Sequence, residues 1–138
     1  MHLFIIFLTL ENPMPVNFEK MDRALSQLKA ATSKEPANDL ERDGVIQRFE
    51  YTIELLWKVA KKVLEDSGVN AIAPKDVVRE MANIGWISNP KELIEYIKMR
   101  NETSHSYKEE VARTVYKSAV KFATAAENLV NLLKEKSK

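Results

Sequence analysis

The chain has 138 residues, of which 45% are hydrophobic and 30% are charged, a composition typical of one folded domain. Its 21 basic and 20 acidic residues give a net charge of +1, which excludes a protein that coats nucleic acid through a general positive field. It has no cysteine, which excludes disulfides and thiolate chemistry and is typical of a cytoplasmic protein.

The N-terminal residues 2–10 are apolar almost without a break. A helix needs about 20 residues to span a bilayer, so this run predicts no membrane association. It also lacks the basic start and the cleavage site of a signal peptide. We expect residues 1–15 to be an N-terminal extension, or a start assigned upstream of a true one at Met14. Residues 16–138 are expected to form the folded domain.

Apolar residues at spacings of three and four, together with capping and terminating residues, predict about five helices. Asn17 is expected to cap the first helix, Asn38 and Asp39 suit a turn and the cap of the second, and Gly68 is expected to end the second. Within the second helix, Gly44 predicts either the loss of a turn or a close approach to a neighbouring element. The approximate bounds are 18–33, 40–67, 74–84, a fourth helix from Pro90, and a last helix from a Ser106–Glu109 capping box to residue 134.

Two long helices carry the apolar stripes that predict the core. The scarcity of glycine and the short connections favour an all-α fold, an antiparallel up-and-down helical bundle. The stripe of the second helix consists of Val45, Ile46, Phe49, Ile53, Leu56, Ala60, Val63 and Leu64. The stripe of the last helix consists of Val115, Ala119, Phe122, Ala126, Leu129 and Leu133.

The fourth helix changes character along one face. On a helical wheel its apolar residues and the polar residues that follow them all lie within about 100° of Asn101. Polar groups on a buried face need hydrogen bonds, so these residues are satisfied internally or line a cleft or a subunit interface. A histidine here is most often simply packed, and Arg100 has Glu54 or Glu50 as possible ion-pair partners. The apolar residues are Leu93, Ile94 and Ile97, and the polar ones are Arg100, Asn101, Ser104 and His105.

The segment R-N-x-x-x-H, formed by Arg100, Asn101 and His105, resembles the signature of HEPN domains, which are small all-α proteins. Its longer form, which adds Tyr107, resembles the HEPN toxin subunits encoded beside a minimal nucleotidyltransferase. Three other segments, 48–58, 74–80 and 84–87, are similar to the proteins described as nucleotidyltransferase substrate-binding. The resemblance covers roughly residues 16–135.

This resemblance implies a metal-independent ribonuclease without a cofactor. Arg100, Asn101 and His105 would be its catalytic residues, and Ser104 and Glu54 would contribute to binding RNA or a nucleotide. One chain supplies one usable histidine, whereas cleavage needs a base and an acid. The family's arrangement is a homodimer in which two such motifs face each other across a cleft.

The resemblance also implies a partner, a cognate minimal nucleotidyltransferase that modifies Tyr107 with AMP; alternatively, Tyr107 packs at a helix start. The chain has no G-S or D-x-D pattern, so it is not expected to be the transferase itself. Two other functions stay open. One is a non-catalytic substrate-binding subunit of a two-component nucleotidyltransferase, and the other is a structural bundle whose polar cluster fixes dimer register.

Overall fold

The computed structural model describes residues 16–103 and 108–138. These residues form five α-helices and no strand, which confirms the predicted all-α helical bundle. The helices are α1 (Glu19–Thr32), α2 (Asp39–Asp66), α3 (Pro74–Asn83), α4 (Pro90–Glu102) and α5 (Glu109–Lys136).

Local chemistry sets the ends of the first two helices, as predicted. The Asn17 side chain accepts a hydrogen bond of 2.8 Å from the backbone N–H of Glu19. The Asn38 side chain accepts one of 2.9 Å from the backbone N–H of Glu41. Each bond satisfies a donor that the helix itself leaves unpaired. Gly68 follows α2 with a φ of +86°, a left-handed conformation that glycine adopts without strain.

The first and last helices pack side by side in opposite directions. Lys134 Nζ lies 2.8 Å from Asp22 Oδ1, and Lys29 pairs with Glu127 about two turns away on each helix. Residue numbers therefore rise along α1 as they fall along α5. Gln27 and Ala24 of α1 accept hydrogen bonds from Arg48 and Thr52 of α2, so α1 also runs antiparallel to α2, and α2 and α5 therefore point the same way. The pair α2 and α5 forms the centre of the bundle.

The other side of this central pair is covered by α4, which packs on both central helices, and by the short α3, which packs on α2 and α4. Every residue of the two predicted stripes is buried. Phe122 of α5 meets Phe49 of α2 and Tyr96 of α4 edge-on, with ring centroids 5.2 Å apart in both pairs. Such edge-to-face contacts add to the stabilisation that burial provides.

Tyr96 departs from the predicted stripe of α4. It is 7% exposed, while Leu93 and Ile94 are only partly buried. Its ring packs on the core and its hydroxyl donates to Glu92 Oε1 at 3.1 Å, so the polar end has a partner. Burial and, after it, this hydrogen bond raise the pKa of Tyr96 to about 12.

One further expectation is wrong. At Gly44, α2 is continuous, and an added Cβ would meet no atom of a neighbouring element within 4 Å, so there is neither a lost turn nor a close approach. The last helix begins at Glu109, with Lys108 as its N-terminal cap residue. The carboxylate of Glu109 binds Arg42. Ser106 lies outside the described residues, so the Ser106–Glu109 capping box stays a prediction.

Candidate functional site

Arg100 lies in the last turn of α4 and faces α2. Its Nη2 is 3.9 Å from Glu54 Oε1, and the two side chains are 31% and 38% exposed, so the predicted pairing with Glu54 is present. Nε of Arg100 is buried, and within 16–103 and 108–138 it has no hydrogen-bond partner. A buried donor without a partner is costly and in a folded protein calls for an explanation.

Glu54 holds two side chains at once. While Oε1 faces Arg100, Oε2 accepts a hydrogen bond of 3.0 Å from Nε1 of Trp57, one turn further along α2. The indole is thereby fixed against rotation, and its polar edge is satisfied. The carboxylate therefore links the guanidinium of Arg100 to the aromatic ring of Trp57.

A cavity of about 260 Å³ opens beside this group, between α2, the start of α3 and the end of α4. Its walls are mostly apolar, with Ile53, Trp57, Pro74 and Ile97 among them. Its polar lining comes from Glu54, Lys75, Arg100 and Asn101. An apolar pocket with a few convergent polar groups is the form that small-ligand sites take.

The predicted site residues fall into two groups. Arg100, Asn101 and Glu54 are brought together at the cavity, and the helix that carries the first two closes with a hydrogen bond of 2.8 Å from Thr103 Oγ1 to the Arg100 carbonyl oxygen. Ser104, His105 and Tyr107 lie outside the described residues. The structure therefore describes the surroundings of Arg100, Asn101 and Glu54 among the predicted site residues.

An ion pair that the sequence analysis missed holds the chain on the far side of the motif. Arg42 is only 9% exposed, and its Nη1 lies 2.5 Å from Oε1 of Glu109, the first residue of α5. The hydrogen bond from Arg42 lowers the pKa of Glu109, and the same bond raises the pKa of Arg42. Its position in the sequence could have indicated its burial, because Arg42 precedes Val45 and Phe49 by three and seven residues and therefore lies on the same buried face of α2.

The described residues contain no group of three or more histidine or acidic side chains arranged to hold a metal ion. Among the helices of 16–103 and 108–138, none is long and apolar enough to cross a bilayer.

In the part of the chain that the structure describes, five helices with an arginine–asparagine pair at the end of the fourth form a small all-α bundle, as the resemblance to HEPN domains implies. Residues 16–135 match the family described as nucleotidyltransferase substrate binding protein like. The chain belongs to this family.

Relatives of this chain agree with that assignment. It is 33% identical over 99 residues, 68% of each chain, to a Haemophilus influenzae protein named probable ribonuclease HepT. A crystal structure from Thermus thermophilus superposes with a TM-score of 0.77 at 31% identity, covering 82% of this chain and 98% of that one. A second structure, from Haemophilus influenzae, has a TM-score of 0.71 at 28% identity, covering 86% and 99%. It is described as revealing the fold of a substrate-binding domain of a nucleotidyltransferase.

Proposed function

We propose that this protein is the HEPN subunit of a two-component toxin–antitoxin-type system and that it cleaves RNA without a metal ion. The observation that carries the proposal is the placement of Arg100 beside Asn101 at a cavity, with Glu54 orienting the guanidinium, five residues before His105. The relative named probable ribonuclease HepT supports the catalytic part. The family description supports a nucleotidyltransferase partner.

The reaction class follows from the groups available. The 2′-hydroxyl of a ribose attacks the adjacent phosphorus as a base takes its proton, and the bond from phosphorus to the 5′-oxygen breaks. An acid protonates that oxygen, and the products are a 2′,3′-cyclic phosphate and a 5′-hydroxyl. His105 serves as base or acid, the role that an imidazole side chain most often takes in catalysis. Arg100 stabilises the charge on the non-bridging oxygens with its planar fork of donors, and Asn101 orients the phosphate or the imidazole.

Two copies of the chain are needed for this chemistry. The protein contains two histidines, His2 and His105, and only the second belongs to the motif. A homodimer that pairs two motifs across a cleft supplies both the base and the acid. Sedimentation at micromolar concentration tests this directly, since a strictly monomeric protein with full activity would contradict the composite cleft.

The proposed partner is a minimal nucleotidyltransferase that adds AMP to Tyr107 and so blocks the cleft. Incubating the two proteins with ATP should increase the mass of this chain by one or more AMP units, and a Tyr107→Phe variant should gain none. If the mass of this chain does not change, AMP addition is ruled out as the mode of neutralisation, and the ribonuclease proposal is unaffected.

The ribonuclease proposal is tested by expressing the wild type, His105→Ala and the matched control His2→Ala without any partner. We expect wild type and His2→Ala to slow growth and to cleave RNA, leaving cyclic-phosphate ends, and His105→Ala to do neither. If all three leave RNA intact and allow equal growth, the protein is not a ribonuclease of this type.

The second function is a substrate-binding subunit without catalysis of its own, and the cavity favours it, since it provides a binding site that does not require His105. This alternative predicts that wild type and His105→Ala bind nucleotide equally and that neither cleaves RNA. The third, a bundle whose polar cluster only fixes dimer register, predicts no binding at all.

A further inference from the structure

We infer that the cavity beside Arg100 is a nucleobase subsite, which takes an unpaired base of a single-stranded RNA next to the phosphate bound by Arg100. This rests on the proposed function for the identity of the ligand. The motif alone would limit the RNA-binding site to the end of α4 and the residues after it. The cavity adds Trp57 of α2 and Pro74 and Lys75 of α3 to that site.

The size and walls of the cavity fit one planar ring system. Its volume of about 260 Å³ falls just below the range of roughly 300–1,000 Å³ that holds a whole drug-sized ligand. Trp57 on one element and Pro74 on another provide flat or rigid apolar surfaces. Because the bond from Trp57 Nε1 to Glu54 fixes the indole, a base can stack on it at little cost in ordering.

The charges place a phosphate at the edge of the same cavity. Arg100 and Lys75 contribute two positive charges against the single carboxylate of Glu54, which Trp57 and Arg100 already engage. An apolar compartment with cations along its edge is complementary to a base joined to its phosphate.

The ligand must present a base that is not stacked in a duplex. A paired base is covered on both faces by its neighbours and cannot enter a pocket of this depth, whereas a loop or a single strand can turn a base outward. The subsite therefore selects single-stranded RNA over double-stranded RNA, independently of any base-specific hydrogen bonds.

The chain has two tryptophans, which permits a direct test. In Trp86→Phe the fluorescence comes from Trp57 alone, and in Trp57→Phe it comes from Trp86, which lies near Lys136 at the C-terminal end of α5. The probe is a single-stranded 2′-O-methyl oligonucleotide, which lacks the attacking hydroxyl and cannot be cleaved. We expect saturable quenching in Trp86→Phe and none in Trp57→Phe.

Two substitutions measure the contributions of ring and charge. Trp57→Leu should weaken oligonucleotide binding about tenfold or more, because it removes the stacking surface. Lys75→Gln should weaken binding and should reduce the slope of log K against log salt concentration by about one, because one phosphate contact is lost. Its matched control is Lys91→Gln, because Lys75 and Lys91 both follow the proline that begins a helix, but Lys91 does not line the cavity. Lys91→Gln should bind as the wild type does.

Cleavage of unmodified RNA is measured in parallel, so that the two proposals fail separately. If the wild type cleaves RNA but Trp57 does not respond and Trp57→Leu binds normally, the subsite is overturned and the ribonuclease stands. If the oligonucleotide quenches Trp57 but no RNA is cleaved, the subsite is supported and the ribonuclease falls. Equal quenching by a duplex, or quenching by AMP and UMP without any by the oligonucleotide, contradicts an RNA-base subsite.

Discussion

At the scale of single residues, the ion pair with Glu54 orients the side chain of Arg100 but contributes little to the stability of the fold. Its distance of 3.9 Å from Glu54 and the partial exposure of both side chains make this a weak ion pair, of the kind that contributes about 0–1 kcal/mol to stability. Glu54 orients the guanidinium of Arg100, because the same carboxylate is itself held in place by the hydrogen bond from Trp57. A substitution at Arg100 should therefore separate activity from stability.

Replacing Arg100 by lysine should lower RNA cleavage about 100-fold or more, because the planar fork that matches a phosphate is lost while a positive charge remains. The unfolding midpoint should change little, since the ion pair is weak. Cleavage rates and thermal unfolding are measured on the same preparation. The matched control is Arg79→Lys, which alters an exposed arginine paired with Asp76 at 3.7 Å and should affect neither quantity. Cleavage within about threefold of wild type would show that Arg100 acts only as a charge.

At the scale of elements, α2 organises the bundle and carries a correctable weakness. Gly44 lies inside this 28-residue helix, where it leaves the backbone less restricted than alanine would. The open space around it shows that no packing requirement keeps a glycine there.

Gly44→Ala should stabilise the protein by about 0.5–1 kcal/mol, because it adds helix propensity without a clash. Urea denaturation should show a higher midpoint with an unchanged slope. Gly68→Ala is the opposite case, since at a φ of +86° a side chain is strained, and it should lower the midpoint. A loss of stability in Gly44→Ala would mean that residue 44 has a contact beyond those described.

The helices themselves were predictable because their signals are local. The stripes of α2 and α5, the asparagine caps and the terminal Gly68 were all foreseen, since each depends on spacing or on a neighbour in sequence. The packing of Tyr96 on Phe122 and the ion pair of Arg42 with Glu109 were not, because the two partners in each contact are more than 20 positions apart. Of the site, the sequence indicated Arg100, Asn101 and Glu54 but not the cavity, which exists only once α3 packs against α2 and α4.

At the scale of the whole molecule, Arg42 and Glu109 join the starts of the two central helices. The bond holds α5 directly after the motif segment, just as Glu54 contacts Arg100, the first residue of the motif. The start of the motif and the helix that follows it are thus both attached to α2, and the stability of one attachment depends on pH.

Glu109 has a lower pKa in the folded protein than its ordinary value, chiefly through Arg42, so the unfolded chain binds a proton first as the pH falls. Its contribution to stability is complete above the unfolded pKa of about 4.3 and is lost as the pH falls through the folded pKa. Glu109→Gln should therefore unfold at a lower temperature than wild type at pH 7, and the difference should shrink below about pH 4.

Thermal unfolding from pH 3 to pH 7 measures this difference. Glu110→Gln is the matched control, since its exposed side chain has no ion pair within the described residues, and its midpoint should follow the wild type throughout. A constant gap between Glu109→Gln and wild type over this range would assign the effect of Glu109 to packing rather than to charge.

The antiparallel packing of α1 against α5 has a mechanical consequence. Phe18 lies beside Lys134, so the first and last described turns are at the same end of the bundle, while Glu109 is a full helix away, about 42 Å along the 28 residues of α5. A force pulling residues 18 and 136 apart would peel the two helices from each other turn by turn instead of sliding them lengthwise. A bundle that is pulled through tethers or fused domains at that end would begin to unfold at low force. The opposite end, where α2 and α5 begin, would unfold last.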